Sequence, residues 1–370
     1  MLIKNAMVFS ADHSFQKQDV RFDSHVLEVG SVAGIPDIDA DGFYLIPGLI
    51  DVHTHGAVNY DFSDGSAAGM DRMSRYYASS GVTSFCATTM TVPEDDLMKA
   101  MNCIRDFKRP ADGARCIGIN LEGPFLSYAK RGAQAAGSLH LPDAGMFDRL
   151  NEASNGMVRL VGIAAELPGA MNFISEVSKK CAVSVAHSTA DYNTAMEAYQ
   201  CGATQATHLF NGMNPLHHRD PAVVGAAFDS GAYAELICDG LHIHPAVIRI
   251  VFQLFREKTL LISDSLRCAG MPDGNYELGG QPILVKKGRA ALLDGTLAGS
   301  CISLLKAVQN AVLFGISRES AVCAATDAPA KAIGADSLLG SIEVGKFADM
   351  LILNQEFNLV TTIINGKVIN

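Results

Sequence analysis

Residues 47–56 read Pro-Gly-Leu-Ile-Asp-Val-His-Thr-His-Gly. The run ends in His53 and His55, and on a strand an i, i+2 spacing turns both imidazoles to the same side. Such a pair also occurs among ordinary structural histidines, so its meaning depends on what surrounds it. Counting outward, strand-like apolar runs occur at LIPGLIDV, VTSFCATT, CIGINL, VRLVGIAA, AVSVA, ATQAT, YAELIC and TLLIS, eight in all. The segments between them are mostly helix-compatible. From Ser66 to Ser79 and from Asp191 to Gln200, a capping-type residue precedes the apolar periodicity. Strands alternating with helices call for parallel pairing, and eight of them suit closure into a barrel, so the fold class expected is α/β, a (β/α)8 barrel.

The residues at the end of each run are more telling than the runs themselves. In order, the strand ends carry His53-Thr54-His55, Thr88-Thr89, Glu122-Gly123-Pro124, Glu166, His187-Ser188, His208, Asp239-Gly240-Leu241-His242 and Ser263-Asp264-Ser265. Every strand of such a barrel opens at its C-terminal end onto one face, so these distant residues are expected to converge there.

The remaining sequence sets limits. A chain of 370 residues accommodates a barrel of about 250 and a minor domain. Both ends are β-rich, with turn signals at Glu343-Val344-Gly345-Lys346 and Asn365-Gly366. The termini are therefore expected to meet in a small β-sandwich domain, residues 1–48 plus 345–370, around a barrel domain of residues 49–344. Apolar residues make up 48% and charged ones 18%, a balance that builds a large core and excludes disorder. A net charge of −10 without a Lys/Arg run excludes a nucleic-acid footprint. Nine cysteines without a C-x-x-C pair read as reduced thiols. No run approaches the roughly 20 apolar residues of a membrane span, and the start lacks a leader's apolar core; a cytoplasmic protein is expected.

Glu122, His187 and His208 each end a strand, and one carboxylate plus two imidazoles with an open fourth position form a catalytic metal set. Glu122 lies in the apolar run GINLEGPF, where an ionised carboxylate needs a cation or hydrogen-bond partners. Asp264 ends the eighth strand beside the proposed site. A divalent ion lowers the pKa of bound water to about 7, and a nearby carboxylate then accepts that proton and passes it to a leaving nitrogen.

The motifs PGLIDVHTHG, NLEGPFLS, AHSTADYNTA, ATHLFNGMNPLHHRDPAVVGAAFD, DGLHIHP, ISDSLRCAGMPDGNYELGG, LAGS and GSIEVGKFADMLILN together resemble the N-acetylglucosamine-6-phosphate deacetylase family of the amidohydrolase superfamily, from about residue 44 onward. The resemblance implies a metal held by Glu122, His187 and His208, with Asp264 as catalytic acid/base. It implies a phosphorylated N-acetyl amino sugar as substrate, its phosphate held by the backbone at Asn211 and Gly212, by His242, and by Arg219 from the neighbouring subunit of a homodimer. Ala133, Asp239, Gly240, Leu241, His242, Leu297, Ala298 and Gly299 would line the sugar and acetyl pocket.

Two departures stand out. Some members have a histidine, thought to polarise the acetyl carbonyl, where this chain has Gln134, which donates a neutral hydrogen bond but no charge. Some relatives lack the His53/His55 pair and use one metal, whereas here a second is expected to be accommodated. Many binuclear relatives bridge their ions with a modified lysine on strand four; this chain has Ala165-Glu166 there, which leaves Glu122 as the bridge. The number of ions, and the choice among zinc (the first expectation), iron, manganese and cobalt, stay open. So do the galactosamine epimer as substrate and a cyclic-amide hydrolase or deaminase as the activity.

Overall fold

The structure, a computed structural model, describes residues 1–369; Asn370, the last residue of the terminal domain expected from the sequence, lies outside them. The apolar runs become eight strands: β1 (Leu49–Thr54), β2 (Val82–Thr89), β3 (Arg115–Leu121), β4 (Val158–Ile163), β5 (Ala182–Val185), β6 (Gln205–Ala206), β7 (Tyr233–Ile237) and β8 (Thr259–Ile262). They pair in sequence order and always in parallel. All residues of β1, β2 and β8 are buried, as a parallel sheet covered on both faces requires.

The seam between β8 and β1 closes differently. The Asp264 N–H donates to the His53 carbonyl at 2.9 Å. Beside it, Asp51 Oδ1 accepts from the Ser263 and His53 N–H groups at 3.3 and 3.4 Å. A side chain here takes the place of ladder bonds, and burial pushes its carboxyl up to about 7.

The two helices expected from capping signals form. Helix α1 (Ala67–Ser79) starts at Ser66, whose side chain accepts from Gly69 N; α2 (Tyr192–Gln200) starts at Asp191, which accepts from Thr194 N. Their buried faces, Met70, Met73 and Tyr77 on α1 and Ala195, Ala198 and Tyr199 on α2, join the barrel core.

The two chain ends share one further sheet of eight strands. Met350–Leu353 pairs antiparallel with Tyr44–Pro47, which brings the C-terminal hairpin against the N-terminal strands directly before β1. This sheet has its own core, including Ile3, Val8, Val20, Phe22, Leu45, Met350, Ile352 and Ile363. Asn365 and Gly366 make its two-residue turn with φ of 53° and 72°, the left-handed pair that such hairpins need. A Cβ on Gly366 would lie 1.6 Å from the Asp23 carbonyl oxygen.

One element was not anticipated. Between β8 and the helix Leu304–Leu313, strands Gly274–Leu278, Gln281–Lys286 and Arg289–Leu292 form a small antiparallel sheet. It reaches the mouth of the barrel, where Gln281 Nε2 donates to the Ala133 carbonyl at 2.7 Å.

Gly366→Ala is expected to destabilise the protein by about 2 kcal/mol or more, since both the φ and the backbone contact exclude a methyl. Urea unfolding measures this; a midpoint equal to that of the parent would show that the turn tolerates a side chain.

Candidate active site

Three strand ends supply one cluster. Glu122 follows β3, His187 follows β5 and His208 follows β6, and their ligand atoms form a small triangle. Glu122 Oε1 lies 3.1 Å from His187 Nε2 and 2.9 Å from His208 Nε2, and the two Nε2 atoms are 3.1 Å apart. Ligands at roughly 2.0–2.1 Å around a tetrahedral ion have edges of about 3.3 Å, so the triangle suits one cation.

Hydrogen bonds on the far side of each ring decide what faces inward. His187 Nδ1 donates to the Lys130 carbonyl at 2.8 Å, and His208 Nδ1 donates to the Asn211 carbonyl at 3.1 Å. With the proton held at Nδ1, each Nε2 presents a lone pair. Two lone pairs and a carboxylate oxygen, all acceptors, then face one another with no hydrogen between them. A divalent cation is the group this arrangement fits.

A second triad adjoins the first: His53, His55 and Asp264. His55 Nε2 is 3.3 Å from Asp264 Oδ1 and 3.1 Å from Glu122 Oε2. His53 Nε2 has no hydrogen-bond partner and lies 3.5 Å from Glu122 Oε1 and 3.6 Å from Asp264 Oδ1. Glu122 thus turns one oxygen to each group. Glu166, at the end of β4, is not part of either; it accepts from the Ser188 hydroxyl and the Thr189 N–H and fixes the loop after His187.

The electrostatics agree. Burial opposes charge on His53, His55, Glu122 and Asp264, yet Glu122 and Glu235 hold the His53 imidazole well above its usual range. His55, although buried, is pushed up to about 9 by Asp264 and Glu122. Despite burial, Glu122 is held well below the usual carboxylate range, chiefly by His53, and Asp264 is lowered, chiefly by its hydrogen bond with His55. These shifts express the demand of buried carboxylates for positive charge. Among the described residues, no lysine or arginine pairs with Glu122 or Asp264 to meet it.

The backbone is strained where it presents these groups. His187, His208 and Asp264 have φ of 44°, 29° and 48°, a region that non-glycine residues rarely occupy. Two glycines make room. A Cβ on Gly212 would come within 2.8 Å of His187 Nδ1, and one on Gly299 within 2.9 Å of the Asp264 carbonyl oxygen.

The cluster floors a cavity of about 290 Å³. Of the residues expected from sequence, Ala133, Gln134, Asn211, Gly212, His242, Leu297, Ala298 and Gly299 line it together with His55, Glu122, His187, His208 and Asp264. Gln134 is committed locally: its amide nitrogen donates to Glu122 Oε2 at 2.6 Å, and its oxygen accepts from Thr91 N at 2.7 Å. Asp239, Gly240 and Leu241 do not line the cavity. Asp239 instead accepts from His242 Nδ1 at 2.7 Å and from its N–H at 2.9 Å, which fixes that ring. Arg219 lies on an exposed turn outside the cavity, in contact with His218. Sequence reasoning missed Met90, Ile237, Leu266, Leu278 and Thr296, apolar or neutral lining with no distinguishing signal. It also missed Glu235 in β7, whose Oε2 lies 2.8 Å from His53 Nδ1; the only clue was an acid inside an apolar run.

Comparison with known proteins gives the family and the fold. The amidohydrolase family profile matches residues 44–369. The chain is 36% identical over 330 residues, 88% of its length and 82% of the relative's, to the N-acetylglucosamine-6-phosphate deacetylase of Vibrio furnissii. It is 33% identical to the N-acetylgalactosamine-6-phosphate deacetylase of Escherichia coli O157:H7, over 93% of this chain and 94% of the relative. The crystal structure of N-acetylglucosamine-6-phosphate deacetylase from Pasteurella multocida superposes with a TM-score of 0.93 at 30% identity, covering 99% of this chain and 98% of that one. The chain belongs to the amidohydrolase family, among the N-acetylglucosamine-6-phosphate deacetylases.

Proposed function

We propose that the protein hydrolyses the N-acetyl group of N-acetylglucosamine 6-phosphate, giving glucosamine 6-phosphate and acetate. The observation that carries this reading is a carboxylate, Asp264, standing in the same cavity as a buried triangle of metal-ligand acceptors. Relatives that share nearly the whole chain bear this activity in their names.

Glu122, His187 and His208 would hold the principal divalent ion, and His53, His55 and Asp264, with Glu122 between the two groups, would hold a second. Imidazole and carboxylate donors without sulfur suit zinc first, with iron, manganese and cobalt also compatible. A divalent ion held there would supply the acidity of the attacking water and polarise the acetamide carbonyl. Asp264 accepts the proton from the attacking water and returns it to the departing amine nitrogen, so that water is divided between acetate and amine. His242, held by Asp239, and the Asn211–Gly212 backbone face the phosphate. Arg219, which pairs with no carboxylate among the described residues, completes that site in the neighbouring subunit of a homodimer. The division into a terminal domain of residues 1–48 plus 345–370 and a catalytic domain of residues 49–344 follows the change of sheet at Gly48. Nine free thiols favour the cytoplasm, and no helix among the described residues is long and apolar enough to cross a membrane.

Asp264→Asn is expected to keep the principal ion held by Glu122, His187 and His208 and to lose about 100- to 10,000-fold in kcat; turnover near that of the parent would remove Asp264 from this role. Acetate release from the gluco and galacto 6-phosphates, each with and without chelator, is expected to favour the gluco epimer and to stop without metal. Faster turnover of the galacto sugar would reassign the substrate. Burial opposes protonation of His242, but its bond to Asp239 keeps the ring cationic above its usual pKa. Its charge is therefore complete at acid pH and is lost only as pH rises through the elevated value. KM for the phosphorylated sugar should begin to climb only at a pH above the ordinary imidazole value, and in Asp239→Asn the climb should begin at lower pH; coincident profiles would separate His242 from the phosphate.

A further inference from the structure

We propose that Glu235 is a positioning residue that gives the site its capacity for a second cation, by holding His53 with its Nε2 lone pair turned into the cluster. The assignment rests on the two-ion reading above.

Glu235 sits in the middle of β7 and is 0% exposed. Its Oε2 lies 2.8 Å from His53 Nδ1 and accepts, more weakly, from the His208 N–H at 3.3 Å. Its Oε1 is buried without any hydrogen-bond partner, and among the described residues no lysine or arginine pairs with it. An ionised carboxylate in such surroundings is destabilising unless positive charge stands close by. The ring it holds leads to that charge. A carboxylate on Nδ1–H fixes the tautomer of His53 and raises the basicity of Nε2, the atom that has no partner and points between Glu122 and Asp264.

The effect is selective by geometry. The rings of His187 and His208 are fixed by the backbone carbonyls of Lys130 and Asn211, so the principal triad does not depend on Glu235 for its orientation. The link to His208 runs through the backbone N–H alone. Among the described residues, His53 Nδ1 has no other hydrogen-bond partner. Loss of the carboxylate therefore frees one ring of the second triad and leaves the first intact.

The test is titration of the full-length, metal-stripped protein with zinc against a chromophoric chelator, for the parent, Glu235→Gln and Glu235→Ala. The parent is expected to take up two ions. Glutamine keeps an oxygen able to accept from Nδ1 but no charge, and should weaken the second ion about 10-fold; alanine should weaken it about 100-fold, with the first ion unchanged in both. Thermal unfolding of the stripped variants controls for damage to the barrel. A merely structural role would lower the stability of the stripped protein and weaken both ions together, and that pattern would overturn the assignment, as would an unchanged second ion in the alanine variant. A parent protein that takes up a single ion at saturation would overturn the two-ion reading and the assignment with it.

Discussion

Acceptors face acceptors at the centre of this protein. Glu122 Oε1 and two imidazole lone pairs stand within 3.1 Å of one another, at positions where each group is at most 7% exposed. Repulsion among them is strong in so dry a place, since the Coulomb energy of close charges grows as the local dielectric falls. Alone they would swing apart. The Lys130 and Asn211 carbonyls and the Gln134 amide hold them from behind, so the fold spends much of its local order keeping like groups together. That is the signature of a site built around a cation.

The barrel can do this because each ligand starts from a different rigid strand. The strand holds the Cα in place, and the residue after it takes up the strain: His187, His208 and Asp264 all have positive φ, which costs about 1–3 kcal/mol each. Neighbouring strands and the packed helices over-determine those positions, so relaxing one would disrupt the ladder that closes beside it. At the β8–β1 seam the connection is direct, because the Asp264 N–H that closes the barrel against His53 belongs to the residue whose carboxylate faces the cavity. Closure of the barrel at this seam and placement of the Asp264 carboxylate share one hydrogen bond.

Much of this was legible in sequence for a local reason. Apolar runs, Ser66 and Asp191 as caps, and Asn365-Gly366 as a turn are signals carried by neighbouring residues, and each produced the expected element. The site was legible because barrel topology turns position in the chain into position in space: a polar residue at a strand's end points to one face. Glu235 escaped that logic, since it lies inside β7 and its meaning comes from His53, far away in sequence. The sheet formed by residues 274–292 escaped it as well, because its alternating pattern looks the same whether it caps a cavity or lies on the surface. Asp239 illustrates an intermediate case, placed correctly at a strand end yet turned to its own neighbour His242 rather than into the cavity.

Gln134 connects these threads. At position 134 this chain has an amide held at both ends, its oxygen by Thr91 N and its nitrogen by Glu122 Oε2. An amide oriented in this way keeps one N–H free, and a neutral donor is roughly half as strong as a charged one. This side chain therefore brings no positive charge to the cluster. The charge has to reside where the acceptors collect it, between Glu122 and the histidines. A second triad beside the first, with a buried glutamate behind His53, increases the positive charge that this end of the barrel can hold. The neutral amide at position 134 and the imidazoles at positions 53 and 55 thus surround two buried carboxylates, Glu122 and Asp264, that no lysine or arginine among the described residues neutralises.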